Sequence, residues 1–320
     1  MTAPVRWGFI GAGWIAHRAL GPAVHCADGA TLQAAAARDL ERARSLSPAG
    51  DVYDTYEALL TDDDVEAVYI CLSNDAHRPW AVRALQAGKH VLCEKPLGLT
   101  ADEVRQMADA ATANDRLLVE ATWSRWHPRT QRAQAMIATG ALGHVQSVDA
   151  GFTFMGVPEG NYRLDPAKGG GALYDIGPYS VGAVLWALPH GEVEVDSVDV
   201  VRHESGVDLT TQSTLRVAGV PATARTSVAE DHGEWVRVVG DEATMVLQTP
   251  AHTSWLAPAT LSVLEADADM SLQFPPVDPY QVMVEHVSRA IRGDESAYVL
   301  PLAESLRVAS ALDAIRAASR

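Results

Sequence analysis

Gly11-x-Gly13-x-x-Ala16, inside GFIGAGWIA (8–16), follows an apolar run and opens a helical stretch. In that setting the spacing cradles a pyrophosphate. The first glycine makes the tight turn, the second lets phosphate approach the backbone, and the small third residue lets helix pack on strand. Alone the spacing also fits an ordinary strand–helix turn. The second strand ends AAAARD, so Ala37 and Arg38 stand where an NAD site places an acid on the ribose 2′-hydroxyl. Arg38 suits a 2′-phosphate, which favours NADP, with NAD possible. Asp39 reads as the cap of the next helix, and the plain reading of Arg38 is a solvated charge. Lys95, in GKHVLCEKPL (88–97), ends another apolar run. Ligands bind at such strand ends in a doubly wound sheet, although Glu94-Lys95 alone reads as a surface ion pair. Farther on, GGGALYDIGPYSV (169–181) sets Asp175 and Tyr179 four apart. On a helix both share one face, and both side chains can pass protons. Three successive glycines mark a place where Cβ atoms do not fit.

The elements that must carry these residues alternate through the first half. Strands are expected at 5–11, 30–37, 65–72, 89–94 and 116–123, and helices at 14–24, 39–47, 76–88 and 100–115. Thr100 and Glu103 form a capping box on the last of these. The pattern predicts an α/β fold with a parallel sheet and helices on both faces. From about residue 143 the pattern changes to alternating polar and apolar residues, as in VQSVDAGFTF, VEVDSVDVVRH, LTTQSTLRV, ATARTSVAE, EWVRVVG and ATMVLQT. These read as strands of an open, mostly antiparallel sheet. Two helices close the chain, at 280–292 and 302–318. The expected domains are 1–123, binding a dinucleotide, and 124–320, binding substrate and oligomerising.

Composition narrows the partners. The 320 residues are 48% hydrophobic and carry a net charge of −16, which argues against nucleic acid and anionic membranes. No apolar window reaches the roughly 18 residues of a membrane helix. The three cysteines lack CxxC spacing and the eleven histidines lack metal-site spacing, so a cytoplasmic protein without a metal is expected.

NDAHRPWAVRALQAGKHVLCEKPLGLTADE and GGGALYDIGPYS, together with SRWHP (124–128) and DPYQVMVEHVSRAIRG, resemble the glucose–fructose oxidoreductase/inositol dehydrogenase family over essentially the whole chain. Tyr179 in place of the histidine of many members resembles the branch with dimeric dihydrodiol dehydrogenase and NADP-dependent sugar dehydrogenases. The resemblance implies a Rossmann domain followed by an α/β domain whose sheet face serves in a homodimer or homotetramer. It also implies hydride transfer between a nicotinamide and a sugar, sugar derivative or related polyol or ketone. Lys95 then comes from the other domain to lower the phenol of Tyr179 for proton transfer, and Asp175 orients Lys95 or binds a substrate hydroxyl. Gly11, Gly13, Trp14, Ile15, Arg38, Leu72, Ser73, Asn74, His77, Glu94, Lys95, Trp123 and Arg125 are the implied cofactor contacts. Tyr162, Arg163, Asp175, Tyr179 and Lys95 are the implied substrate contacts. The bland readings are that His77 is a helix residue without a ligand and that Trp123 and Trp126 are core. Two other functions compete: a trans-dihydrodiol dehydrogenase on aromatic diols, and a non-catalytic dinucleotide-binding regulator.

Overall fold

The computed structural model describes residues 3–265 and 268–319. They form two compact units. The first runs to Trp126 and includes Asp278–Leu306; the second is His127–Val277 with the chain from Arg307 onward. The expected division after residue 123 assigned everything beyond it to the second domain. The chain instead returns to the first unit, because the helix after Asp278 is amphipathic and buries Met283, Val284 and Val287. From that helix Ser288 accepts a hydrogen bond from the indole of Trp7 (3.1 Å).

In the first unit strands and helices alternate: β1 (Val5–Ile10), α1 (Gly21–Cys26), β2 (Ala30–Ala36), α2 (Leu40–Arg44), β3 (Val52–Tyr53), α3 (Tyr56–Leu60), β4 (Ala67–Ile70), α4 (Asn74–Gln86), β5 (His90–Cys93), α5 (Ala101–Ala113) and β6 (Leu118–Glu120). All six strands pair in parallel in the order β3-β2-β1-β4-β5-β6. This is the doubly wound order whose direction reverses between β1 and β4, where such sheets bind dinucleotides. β4 is buried at every position, as a strand covered on both faces must be. One local feature is absent from the sequence reading: a π-helical turn at Ala16–Leu20 just before α1. Pro22 has no N–H to continue an ordinary helical ladder, and the amide of Gly21 reaches back to the carbonyl of Ala16. A Cβ on Gly21 would lie 2.8 Å from that carbonyl, so glycine is required there.

The second unit contains α6 (Pro128–Ala138), β7 (Val145–Met155), α7 (Ala172–Ala187), β8 (Val193–Arg202), β9 (Asp208–Val217), β10 (Val220–Ser227), β11 (Ala229–Gly240), β12 (Thr244–Leu247), β13 (Ala259–Leu264) and β14 (Asp269–Phe274). The eight-stranded sheet has the order β14-β13-β12-β11-β7-β10-β9-β8. Its neighbours are antiparallel except β7 and β10, which run parallel. A parallel pair needs a long crossover, and the segment carrying α7 supplies it. α6, β13 and β14 were not foreseen. The chain continues through α8 (Pro279–Ile291) to α9 (Leu302–Ala318). The two closing helices lie where the sequence reading put them.

Candidate active site

At the end of β1, Gly11 has φ +100°, and a Cβ there would come within 2.8 Å of the Cys71 carbonyl and 3.0 Å of the Leu72 side chain. Only glycine makes this turn. Gly13 is different: a Cβ would meet nothing closer than the Cys71 carbonyl at 3.7 Å. The protein's own packing leaves that space open, so the turn fits a dinucleotide that approaches the backbone. Ala16 is fully buried, Ile15 is half-buried, and Trp14 is 72% exposed. Arg38 follows buried Ala37, is exposed, and makes no hydrogen bond or ion pair among the described residues. Its charge acts on the nearby Tyr56 phenol, opposing the upward push of burial. Asp39 is the side-chain cap of α2, accepting from the amides of Glu41 (3.0 Å) and Arg42 (3.2 Å).

The loop after β4 carries Leu72 and Ser73, and the first turn of α4 carries Asn74 and His77. Leu72 and Ser73 are half-buried and Asn74 is buried; the Ser73 hydroxyl donates to Asp75 (2.6 Å). His77, expected as a cofactor contact, is fully buried. Its Nδ1 lies 2.8 Å from the Pro96 carbonyl and its Nε2 3.2 Å from that of Leu72. Burial drives its pKa down, and a neutral ring carries a single N–H, so it donates to one of these two carbonyls. Glu94, also expected as a cofactor contact, is buried. It points inward, accepts the Tyr69 hydroxyl (2.7 Å), and burial pushes its carboxyl up. Cys71 and Cys93 are buried thiols, and desolvation lifts Cys71 to about 12. Lys95 is half-buried at the end of β5, and the Lys95–Pro96 peptide is cis.

Trp123 and Arg125 were expected along the cofactor. The ring of Trp123 stacks on Tyr280 (centroids 4.6 Å apart), the Trp126 indole donates to the Tyr298 carbonyl (3.1 Å), and Arg125 pairs with Glu304 (2.7 Å). Packing within the first unit accounts for these contacts.

In the second unit the glycine triplet has three separate reasons. Gly169 is left-handed, at φ +69°. A Cβ on Gly170 would lie 2.5 Å from the Arg163 carbonyl. Gly171, at φ +115°, is the N-cap of α7, and a Cβ there would meet the Asp208 carboxylate. That carboxylate, from β9, accepts the amide of Leu173 (2.7 Å) and the hydroxyl of Thr211 (2.9 Å). The cap of α7 therefore comes from another strand.

All sixteen residues of α7 are buried. Asp175 and Tyr179 stand one turn apart as expected. Asp175 pairs with Arg163 (2.6 Å), whose guanidinium also lies over the half-buried ring of Tyr162 (5.0 Å). Two expected substrate contacts are thus joined to each other. The ring of Tyr179 meets Phe152 edge-on (5.5 Å) and lies 6.1 Å from His252. His252 stacks on Phe152 (5.8 Å), with Nε2 3.0 Å from the Gly151 carbonyl. Its loop is pinned by two buried charges that the sequence reading missed. Arg129 donates to the carbonyls of Gln248, Pro250 and Ala251 (2.8, 2.7 and 2.7 Å), while Glu234 accepts the amides of His252 and Thr253 (2.7 and 2.8 Å). Among the described residues no cluster of three or more His, Cys, Asp or Glu could hold a metal, and no helix is long and apolar enough to cross a membrane.

Residues 5–122 match the description "Oxidoreductase family, NAD-binding Rossmann fold", and residues 130–246 match the GFO/IDH/MocA C-terminal domain. The chain belongs to the GFO/IDH/MocA oxidoreductase family. Among relatives, D-xylose 1-dehydrogenase (NADP(+)) 2 of Haloferax volcanii is 32% identical, over 97% of this chain and 96% of that protein. Human trans-1,2-dihydrobenzene-1,2-diol dehydrogenase is also 32% identical, over 98% and 96%. Among solved structures, the 3-ketoreductase KijD10 of Actinomadura kijaniata, in complex with NADP and TDP-benzene, is 29% identical. It superposes with a TM-score of 0.90 over 99% of this chain and 98% of that one. Both halves of this GFO/IDH/MocA protein are therefore accounted for by one family, and the doubly wound sheet is its NAD-binding Rossmann domain.

Proposed function

We propose that this protein is an NADP-dependent oxidoreductase that moves a hydride between the nicotinamide and the carbinol or carbonyl carbon of a sugar, sugar derivative or related polyol. The observation that carries the cofactor choice is Arg38, a guanidinium without a hydrogen-bond partner among the described residues at the end of β2, where a 2′-phosphate would be met. The NADP of the Haloferax D-xylose dehydrogenase and of the KijD10 complex supports it. When bound, the nicotinamide supplies or takes the hydride. The chain's part is the proton. In oxidation the Tyr179 phenolate takes the hydroxyl proton; in reduction the Tyr179 phenol returns it to the carbonyl oxygen. Lys95 donates a hydrogen bond to that same oxygen. Asp175, already paired with Arg163, positions the substrate end of α7.

A panel of aldoses, polyols and a nucleotide-linked ketosugar with NADP+ or NAD+, or with NADPH for the ketone, tests the reading by reduced-nicotinamide absorbance. Turnover with NADP(H) is expected. NADP binding without any turnover would favour the regulator instead. A second reading, oxidation of aromatic trans-diols, is supported by the aromatic surroundings of Tyr179, where Phe152, Phe154 and His252 gather. Adding a trans-dihydrodiol to the panel separates the two.

The proposed assembly is a homodimer or homotetramer. Asp149, Thr223, Arg225, Gln212, Trp235 and Arg237 on the eight-stranded sheet are exposed or half-buried, a polar face with one large aromatic. Light scattering at micromolar concentration is expected to give at least twice the 34.2 kDa chain mass.

A further inference from the structure

Glu120, the last residue of β6, is 4% exposed, and the family reading gives it no part. Its neighbourhood is unusual. Glu120 lies in register with Cys93 across the parallel pair β5–β6, one residue before Glu94. From there its Oε1 accepts the amide of Leu97 (3.0 Å). On the other side Glu94 accepts the amide of Lys95 itself (3.3 Å) as well as the hydroxyl of Tyr69. Pro96 between them has no N–H. Both amides of the Lys95–Leu97 turn therefore end on buried carboxylates brought by two adjacent strands.

Two carboxylates are more than backbone satisfaction requires, since neutral acceptors would serve. Burying carboxylates is costly unless a positive charge answers them. The charged groups acting here are few. Burial pushes both carboxyls up, and the Glu120 charge pushes Glu94 up further. Lys95 pulls both down, and Arg125, itself paired with Glu304, pulls on Glu120. His77 feels the Lys95 charge from α4, and the Cys93 thiol is held neutral by burial.

We infer that Glu120 is a positioning residue for Lys95. It ties down the turn through the Leu97 amide and supplies the buried negative charge that keeps the Lys95 ammonium protonated. The inference rests on Lys95 being the site lysine; the loss of turnover in Lys95→Ala tests that premise, and the experiment below tests Glu120 alone.

The chain has three lysines, Lys89, Lys95 and Lys168. Reductive ¹³C-methylation of the full chain therefore gives few resonances, those of the lysines and of the α-amino group, with Lys95 assigned by its loss in Lys95→Arg and Lys168 as the exposed reference. Glu120→Gln keeps an oxygen for the Leu97 amide and removes the charge. Its Lys95 titration midpoint is expected about one pH unit below wild type, the usual effect of losing a nearby opposite charge, while Lys168 stays put. Glu120→Asp keeps the charge, and its midpoint is expected close to wild type. Equal midpoints in wild type and Glu120→Gln would overturn the inference and leave Glu120 a backbone acceptor. Should Glu120→Gln not fold, Glu120→Met, neutral and of similar length, gives the same readout: a Lys95 midpoint unshifted from wild type overturns the inference.

Discussion

The two side chains proposed to share one substrate oxygen are held by opposite means. Lys95 sits at a strand end, where packing cannot fix a turn, and hydrogen bonds from its flanking amides to buried carboxylates do so. Tyr179 rides in a helix with every residue buried, so van der Waals contact fixes it. Its entry is set by glycines and by a carboxylate from β9. Charge changes should therefore harm the first position without unfolding it, and shape changes should unfold the second.

The largest effect expected is on turnover. Tyr179→Phe keeps the ring against Phe152 and removes only the proton, so kcat should fall by about 10²–10⁴ with cofactor affinity and melting temperature nearly unchanged. Lys95→Ala should cost at least as much. The double variant should be little worse than the worse single, because groups acting as a unit are not additive. If Tyr179→Phe keeps more than about half of wild-type turnover, Lys95 alone handles the proton.

The shape side of the contrast is tested by Gly171→Ala. The residue has φ +115° and its Cβ would collide with Asp208, so a loss on the order of 1–3 kcal/mol is expected, read by urea denaturation. Acid should strain the same unit. Desolvation holds His252 down to about 4 from 6.5. The unfolded chain thus binds a proton that the folded chain refuses. Stability is full above about pH 6.5 and falls as pH drops toward 4. His252→Gln removes this contribution, so its unfolding free energy should decline less steeply across that window. Parallel slopes for the two proteins would clear His252 of the effect.

For the cofactor, Arg38→Ala should narrow an NADP-over-NAD preference of at least tenfold, about 1.4 kcal/mol, without changing stability, since the exposed guanidinium makes no hydrogen bond or ion pair among the described residues. Calorimetry that finds the two cofactors bound equally by wild type would remove Arg38 from the site.

What was readable in the sequence is what local chemistry dictates: the strand–helix alternation, the glycine turn at Gly11, the cap at Asp39, and the shared helix face of Asp175 and Tyr179. What was not readable depends on partners far along the chain. Asp208 caps a helix that begins 36 residues earlier. Glu120 reads as a polar residue ending a strand until β5 is set beside it. The burial of His77 beside the Pro96 and Leu72 carbonyls depends on a loop 19 residues on. The parallel pairing of β7 with β10 and the return of residues 278–306 to the first unit are likewise long-range facts that periodicity does not encode.

The smallest effect sharpens the contrast between a locally capped helix, α2, and α7. Asp39 caps α2 from its own sequence position, whereas α7 borrows Asp208 from β9. Asp39→Ala removes one exposed local cap, worth about 1 kcal/mol, and the rest of the sheet should be unaffected. Asp208→Ala removes an acceptor shared by the Leu173 amide and the Thr211 hydroxyl and should cost more, because it leaves partly buried donors unmet. The Asp39 variant carries a second reading. Its Oδ1 already serves the amides of Glu41 and Arg42, and with Arg38 reading the ribose it takes no part in holding a 2′-hydroxyl. The ratio of NADP to NAD affinity in Asp39→Ala should therefore match wild type while the melting temperature falls slightly. A selective loss of NAD binding would mean that Asp39, and not Arg38, reads the ribose.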